Sequence, residues 1–251
     1  MERVLSTFFA VLFVLVSSSK VWASEFDKLS PDDQEFVLSG KPLDYEVNAD
    51  GTDWDQSSWP RITVYRLVNA TPEETMAVMW DFPLQPKYMT DTVVSSVVSA
   101  NPTPNQAKVD YVVKLPIYGN TSYTVLDTIS SYDKGSSFKF GCQLVSGSMV
   151  KSIDGTALFE PHTLKDGSTV TIMIYSSLIV PKLIPASSLT TQAGIDSFKG
   201  TVNAIAKQVE QEKTGADADK ALLPPQVASL RASLMAAPAE SATLIEGIDE
   251  P

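Results

Sequence analysis

Six consecutive segments in the middle of the chain have strand character, and their order constrains the fold more than any other feature of the sequence. They span residues 92–99, 108–118, 122–130, 137–145, 149–161 and 169–180. Turns rich in Gly, Asn, Asp and Pro separate them, and each turn is short enough for a hairpin. Apolar and polar residues alternate most clearly in the second and fourth segments, which indicates one buried and one solvated face. We therefore predict an antiparallel meander.

After Pro185 the hydrophobic period changes from that of a strand to that of a helix. Apolar residues recur at spacings of 3, 4, 3 and 4 through Ile195, Phe198, Val202, Ile205 and Val209. This spacing predicts a helix over residues 188–212 with one apolar face. We expect this helix to cover the apolar face of the sheet.

Two helix-start signals precede the meander. The tetrapeptide SPDD at 30–33 supplies an N-cap, a proline at the first helical position and two acids, which predicts a short helix over 31–38. A further strand is predicted over 61–68. The tetrapeptide TPEE at 71–74 has the pattern of a capping box, so a second helix is predicted from Pro72.

The first 23 residues have the pattern of a secretory signal. Arg3 precedes an apolar run at 8–16, and Val21 and Ala23 occupy the small-residue positions before a cleavage site after Ala23. The run falls far short of the ~20 residues that a membrane-spanning helix needs, and we predict no transmembrane segment. With a single cysteine in the chain, a disulfide-free exported protein is expected, which favours secretion across an inner membrane into a bacterial periplasm.

The remaining chain divides into three parts. Residues 24–58 form an N-terminal segment with the short helix, and residues 59–213 contain the main domain. Residues 214–251 are rich in Ala, Pro and small polar residues, which predicts a low-complexity, disordered tail. The alternative is that residues 227–235 form a short amphipathic helix that docks on the domain or a partner.

Charge and composition exclude several functions. There are 19 Lys+Arg against 30 Asp+Glu, a formal net charge of −11, and no basic cluster, so we expect no nucleic-acid partner. Cys142 and His162 are the only cysteine and histidine, which excludes an internal disulfide and multi-histidine metal sites. An iron site built from two histidines and a carboxylate is excluded for the same reason. We predict no cofactor.

The order of strand, helical pair, six strands and long final helix resembles the START-like (SRPBCC) superfamily. Two stretches carry the resemblance, ITVYRLVNATPEETMAVMWDFPLQPKYMTDTVVSSVV and VPKLIPASSLTTQAGIDSFKGTVNAIAKQV. It covers residues 59–213 and implies an α+β helix-grip fold, in which a curved antiparallel seven-stranded sheet wraps around the C-terminal helix and an interior cavity.

The resemblance also implies a function, since members of this superfamily mostly bind hydrophobic ligands such as lipids and sterols. We expect an exported binding or transfer protein for a lipid- or sterol-like ligand held between sheet and helix, with an envelope protein as a possible partner. Two alternatives remain open. One is an enzyme similar to polyketide cyclases and dehydratases that uses the same cavity, and the other is a protein-interaction module with a filled core.

The cavity walls implied by the resemblance consist of the inward-facing positions of the strands and the final helix. Thirteen residues are predicted to bind the ligand: Val109, Tyr111, Val113, Tyr123, Val125, Asp127, Phe138, Phe140, Ile172, Ile174, Ile195, Phe198 and Val202.

Asp127 is the most informative polar residue of this set because it is in phase with Tyr123 and Val125. In the interior it could bind a ligand hydroxyl or act as an acid or base with a raised pKa. The alternative is a bulge or an exposed strand end that places it in water. Asp154 and Glu160 are weaker candidates for the same roles.

The unique histidine and cysteine have simpler interpretations. His162 precedes a hairpin turn, so a surface position at a strand end is expected. Cys142 alternates with Phe138 and Phe140, which is typical of a small buried apolar residue.

Overall fold

Eight antiparallel strands form one curved sheet in the computed structural model, which describes residues 24–89, 91–100, 105–115, 119–131 and 137–214. The strands lie in the order β1-β2-β8-β7-β6-β5-β4-β3. Their bounds are β1 Leu43–Val47, β2 Arg61–Val68, β3 Thr92–Ala100, β4 Gln106–Leu115, β5 Gly119–Ser131, β6 Phe138–Gly147, β7 Val150–Thr163 and β8 Thr169–Pro181.

Three α-helices accompany the sheet in the part of the chain that is described. They are α1 Pro31–Leu38, α2 Pro72–Trp80 and α3 Ser188–Thr214, and a 3-10 helix at Phe82–Lys87 follows α2. The predicted signal at 1–23 and, apart from Thr214, the predicted tail lie outside the described residues. None of the helices in the described ranges has the length and apolar character needed to cross a bilayer.

The predicted α+β helix-grip architecture is confirmed, with one additional strand. Strands β2 to β8 correspond to the seven predicted ones, and β3 to β8 form the predicted meander. The sequence analysis missed β1, which pairs only with β2 at the edge of the sheet. A five-residue strand with no clear alternation carries too little signal to be recognised. An ion pair with α3 also fixes the position of β1, because Lys199 Nζ lies 2.8 Å from the Asp44 carboxylate.

Local capping signals produce the two short helices. The Ser30 side chain accepts a hydrogen bond from the Asp33 backbone at the start of α1. At the start of α2, Thr71 and Glu74 form a reciprocal capping box, with the Thr71 backbone N–H 2.8 Å from Glu74 Oε2. These bonds satisfy backbone donors that have no partner within the helix, which sets where each helix begins.

Both faces of the sheet are covered around β2 and β8, each by a different part of the chain. The concave face packs against α2 and the apolar side of α3, including Phe198 and Val202. The opposite face packs against the N-terminal segment, where Phe26 and Val37 form a separate cluster with Ile172 and Ile174 of β8.

Ile172 and Ile174 are therefore wrong as predicted cavity residues. Five consecutive residues of β8 are buried, from Val170 to Ile174, because both faces of this strand are covered. Alternation shows which residues share a face, but it cannot distinguish two faces that are both apolar. Met173 and Tyr175, on the other parity, pack into the concave-face cluster.

Candidate ligand-binding site

A row of small and polar residues crosses the concave face of the sheet. Ala107, Asp127, Cys142, Gly155 and Ser177 are successive register partners on β4, β5, β6, β7 and β8. We call these five residues the central row. Cross-strand partners lie directly beside one another on one face, so the central row is a continuous band of small side chains and one carboxylate.

Mostly larger apolar side chains border the central row on both sides. On one side are Ile129, Phe140, Ala157, Tyr175 and Val64, again successive register partners. On the other side are Val109 and Val125, which pack with Ile153 and the half-buried Leu144. The central row therefore has the smallest side chains of this wall, and an apolar wall with few polar groups is typical of a ligand pocket.

Asp127 is the one carboxylate of the central row, and the structure places it inside the protein. Its side chain has no solvent exposure, and neither carboxylate oxygen has a hydrogen-bond partner. Burial raises its pKa from the ordinary 3.8 to about 7, and contact with the Cys142 thiol opposes this rise. The alternative of a bulge or exposed strand end is wrong, since Asp127 pairs in register with both neighbouring strands.

Three tyrosines lie near Asp127. The rings of Tyr111 and Tyr123 are stacked, with centroids 5.5 Å apart. Tyr175 meets Phe198 of α3 edge to face, with centroids 4.9 Å apart. Burial raises the pKa of all three phenols, and the charge of Asp127 adds to the rise. They therefore stay protonated at physiological pH and can donate hydrogen bonds.

The same tyrosines retain accessible surface. Tyr111, Tyr123 and Tyr175 are only half-buried, as is Cys142, although desolvation is the largest influence on each pKa. A side chain that is surrounded by protein and still has accessible surface faces an internal space. This combination indicates space next to the central row.

The other predicted site residues differ in their packing. Val109 and Val125 are fully buried beside the central row, and Val113 is half-buried further along β4. Five more belong to the cluster between the sheet and α3: Phe138, Phe140, Ile195, Phe198 and Val202. Eleven of the thirteen predicted residues thus lie on the concave side.

The sequence analysis missed Trp80 and Tyr175. Trp80 of α2 contacts both clusters of the concave side, with its ring 5.0 Å from that of Phe82 and 6.5 Å from that of Phe140. The sequence contained a signal for Tyr175, because alternation gives β8 only two possible faces. The prediction assigned the face of Ile174 to the site, and Tyr175 is the next residue, on the other face. The sequence contained no such signal for Trp80, because helical spacing cannot show which strands a helix covers.

The weaker candidates lie away from the concave face. Asp154 is exposed and forms an ion pair with Arg61 at 2.6 Å. Glu160 accepts hydrogen bonds from the Ser24 hydroxyl and from the Glu25 backbone, which belong to the N-terminal segment on the opposite face. His162 packs edge-on against Phe26 on that same face. These three residues therefore lie outside the predicted site.

Comparison with known proteins finds similarity in structure and none in sequence. No protein-family model and no curated protein sequence matches the chain. A STAR-related lipid transfer protein from Xanthomonas axonopodis matches with a TM-score of 0.56 and 15% identity, over 68% of this chain and 94% of that one. Human STARD10 matches with a TM-score of 0.57 and 12% identity, over 84% and 91%.

A third structure, human StAR-related lipid transfer protein 5, matches with a TM-score of 0.54 and 10% identity, over 68% of this chain and 83% of that one. This protein has the START-like fold. Within it, α3 is the gripped helix and the central row lies on the sheet face that the helix covers. At these identities the similarity establishes the fold and leaves the residues of the site to be argued from their own chemistry.

Proposed function

We propose that this START-like protein binds a hydrophobic, lipid- or sterol-like molecule between the concave face of the sheet and α3. The observation that carries the proposal is the accessible surface that three tyrosines and Cys142 keep among buried residues, near the small side chains of the central row. A filled core would leave no such surface, because protein interiors pack as densely as organic crystals.

The chemistry of the surrounding walls supports an apolar ligand. Val109, Val125, Phe140 and Phe198 are buried around the space, so the transfer of apolar ligand surface from water would stabilise the complex by roughly 25 cal/mol per Å². Two of the similar structures are described as lipid transfer proteins, which supports the same class of ligand and a transfer role here.

The proposal includes export. The signal pattern at 1–23 is the basis for it, and cleavage after Ala23 would leave the docked part of the N-terminal segment complete, since the Ser24 hydroxyl and the Glu25 backbone both bond to Glu160. The net charge of −11 makes direct adsorption to an anionic membrane unfavourable. We therefore propose delivery through an envelope protein partner in the periplasm.

Native mass spectrometry of the exported protein tests the ligand, after purification without detergent. We expect a stoichiometric adduct that organic extraction removes and lipid analysis identifies as an apolar molecule. N-terminal sequencing of the same sample tests cleavage before Ser24. An empty protein that also fails to take up added lipid would contradict the binding function and favour a protein-interaction module.

An acid–base enzyme is the second candidate, and the position of Asp127 favours it. A buried carboxyl with a pKa of about 7 can both accept and donate a proton near neutral pH. The test is to return the extracted ligand to the emptied protein and follow its mass. Conversion by the wild type and no conversion by Asp127→Asn, with binding retained, would establish the enzyme; an unchanged ligand would exclude turnover of that molecule.

A further inference from the structure

Among the residues whose side chains are described, Asp127 is the one charged residue of the concave interior that is buried as a whole. Glu212, near the end of α3, has one buried oxygen and accepts a hydrogen bond from Gln208 through the other. Two charged residues are buried, Asp127 and Glu160, and Glu160 lies on the opposite face of the sheet. None of the described lysine, arginine or histidine side chains is buried. Strand β3, the outermost strand beyond β4, has only Val, Ser and Ala over residues 93–100. Over the described side chains, the buried concave interior is therefore apolar and aromatic around the Asp127 carboxylate.

A carboxylate in this position is unfavourable without a partner. Burial of an unpaired ionised group costs several kcal/mol, and native proteins pair such groups or shift their pKa values. Register neighbours Ala107 and Cys142 provide a methyl group and a weak thiol donor. The unmet hydrogen-bonding capacity of Asp127 therefore lies in the concave interior, beside the half-buried Cys142.

We infer that Asp127 anchors the hydrogen-bond-donating head group of an apolar ligand, an ammonium or a hydroxyl group, and that the site discriminates against anionic head groups. This inference rests on the proposed binding function. A donor from the ligand supplies the bond that the protein lacks, whereas a carboxylate, phosphate or sulfonate would place a second negative charge beside the first.

The charge of Asp127 favours an ammonium over a hydroxyl group. Tyr111 and Tyr123 are register partners of each other, two same-face positions along β4 and β5 from Ala107 and Asp127, so they border the site without replacing the missing partner of Asp127. An ammonium forms a charge-assisted hydrogen bond with the ionised carboxylate, and an alcohol forms a weaker neutral one. The expected order of affinity is ammonium, then alcohol, then anion.

A matched series of ligands tests this order on the mature protein. Dodecylamine, dodecanol and dodecanesulfonate share one alkyl chain and differ only in the head group. Their affinities are compared by calorimetry below micelle-forming concentrations at about pH 8, where Asp127 with a pKa of about 7 is mostly ionised. We expect the ammonium to bind at least ~10-fold more tightly than the sulfonate, since a hydrogen bond to a charged group contributes about 1.5–3 kcal/mol.

Two variants with the same change of charge isolate the role of Asp127. Asp127→Asn keeps the side-chain size and removes the charge, so the preference for ammonium over sulfonate should fall to about one. Asp110→Asn is the control, because Asp110 lies on β4 with the opposite parity to Tyr111 and accepts a hydrogen bond from Thr124 at 2.5 Å. The Asp110→Asn variant should keep the wild-type preference for ammonium over sulfonate.

The pH dependence of the wild type gives an independent measurement if Asp127→Asn does not fold. Both probe heads keep their charge between about pH 8 and pH 5.5, while Asp127 becomes protonated as the pH falls through its pKa. The titratable groups nearest to it are Tyr111 on β4, Tyr123 on β5, Cys142 on β6 and Tyr175 on β8, and burial raises the pKa of each, so they stay neutral. The ammonium preference should therefore decline towards pH 5.5.

The outcomes separate this inference from the function on which it rests. Equal affinities for the three ligands, or a preference that neither Asp127→Asn nor acid reduces, would overturn the role of Asp127 and leave the binding function intact. Failure of the wild type to bind any of the three would overturn both.

Discussion

Asp127 of β5 and Cys142 of β6 are register partners, and both side chains lie on the concave side of the START-like fold. Burial raises the pKa of both groups, and the negative charge of Asp127 raises that of the Cys142 thiol further. The thiol acts on the carboxyl in the other direction, since a weak S–H donor beside the carboxylate favours its ionised form. The protonation states of the two residues are therefore coupled.

This coupling predicts the reactivity of the unique cysteine. In the native protein at about pH 8, Cys142 should react slowly with iodoacetamide, because only the thiolate is nucleophilic and its pKa is raised. Asp127→Asn removes the charge that opposes ionisation, so the alkylation rate should rise by about threefold or more. Intact-mass measurement over time follows a single site, since the chain has one cysteine.

The control is alkylation in denaturant, where the two proteins should react at the same rate. Asp110→Asn should react like the wild type in the folded state. If Asp127→Asn were no faster than the wild type when folded, Asp127 would not govern the thiol.

Burial of Asp127 also predicts how stability depends on pH. Its pKa is 3.8 in the unfolded chain and about 7 in the folded protein, so between these values the folded state binds more protons. This residue's contribution to the free energy of unfolding is therefore fully present below pH 3.8 and is lost as the pH rises to about 7. The slope reaches about 1.4 kcal/mol per pH unit within that window.

Urea unfolding of the wild type and Asp127→Asn checks this prediction, because subtraction removes the contribution of groups that both proteins share. From about pH 5 to pH 7, the variant should gain stability relative to the wild type. Parallel pH profiles would mean that Asp127 is paired or hydrated in the folded protein.

Substitution of Gly155, in the central row, should reduce the interior space without disturbing the fold. A Cβ atom at this position would lie 3.5 Å from Cys142 Cβ and 3.6 Å from Ser177 Oγ, which are ordinary contacts. Gly155→Ala should therefore fold normally and weaken binding by about tenfold, the typical effect of one methyl group in an apolar pocket. Ligand titration by native mass spectrometry measures the change.

Gly200→Ala is the matched control, because Gly200 is exposed on α3 and an added Cβ meets nothing within 4 Å. It should leave affinity unchanged and stabilise the helix by ~1 kcal/mol. Equal affinities for Gly155→Ala and the wild type would show that the ligand does not reach the central row.

Substitutions in the cluster on the opposite face should lower the free energy of unfolding without changing ligand affinity. Phe26 and Ile172 are 2% and 1% exposed and belong to that cluster, so each substitution by alanine should cost about 3 kcal/mol. The double variant should show a coupling of at least ~0.5 kcal/mol in urea unfolding. Ligand affinity should stay within about twofold of the wild type, provided the protein is folded. A large loss of affinity in Ile172→Ala alone would show that this residue lines the site after all.

Local sequence signals were sufficient to predict most of the elements. The capping residues Ser30 and Thr71 identified the starts of α1 and α2, because a cap acts within one turn. The spacing from Ile195 to Val209 predicted α3 and its buried face. Short-range alternation also placed Asp127 in phase with Val125, and both proved to be fully buried on the same face.

Alternation by itself could not orient β8. Ile172 and Met173 are adjacent, equally buried and packed in different clusters. Only the N-terminal segment, more than a hundred residues earlier in the chain, decides which of them is outside. Strand β1 was missed for a related reason, since its stability depends on pairing with β2 and on the contact between Asp44 and Lys199.

The amino-acid sequence by itself determined the order of the elements and their periodicities, because these depend on interactions within a few residues. The START-like architecture followed from the resemblance of this order to a known superfamily. Only the tertiary structure decided that Ala107, Asp127, Cys142, Gly155 and Ser177 form one row, that Trp80 of α2 contacts both concave-side clusters, and that the carboxylate in this row lacks a hydrogen-bond partner. The physical reason is that strand register and the packing of helices on a sheet join residues far apart in the chain, and the site consists of such contacts.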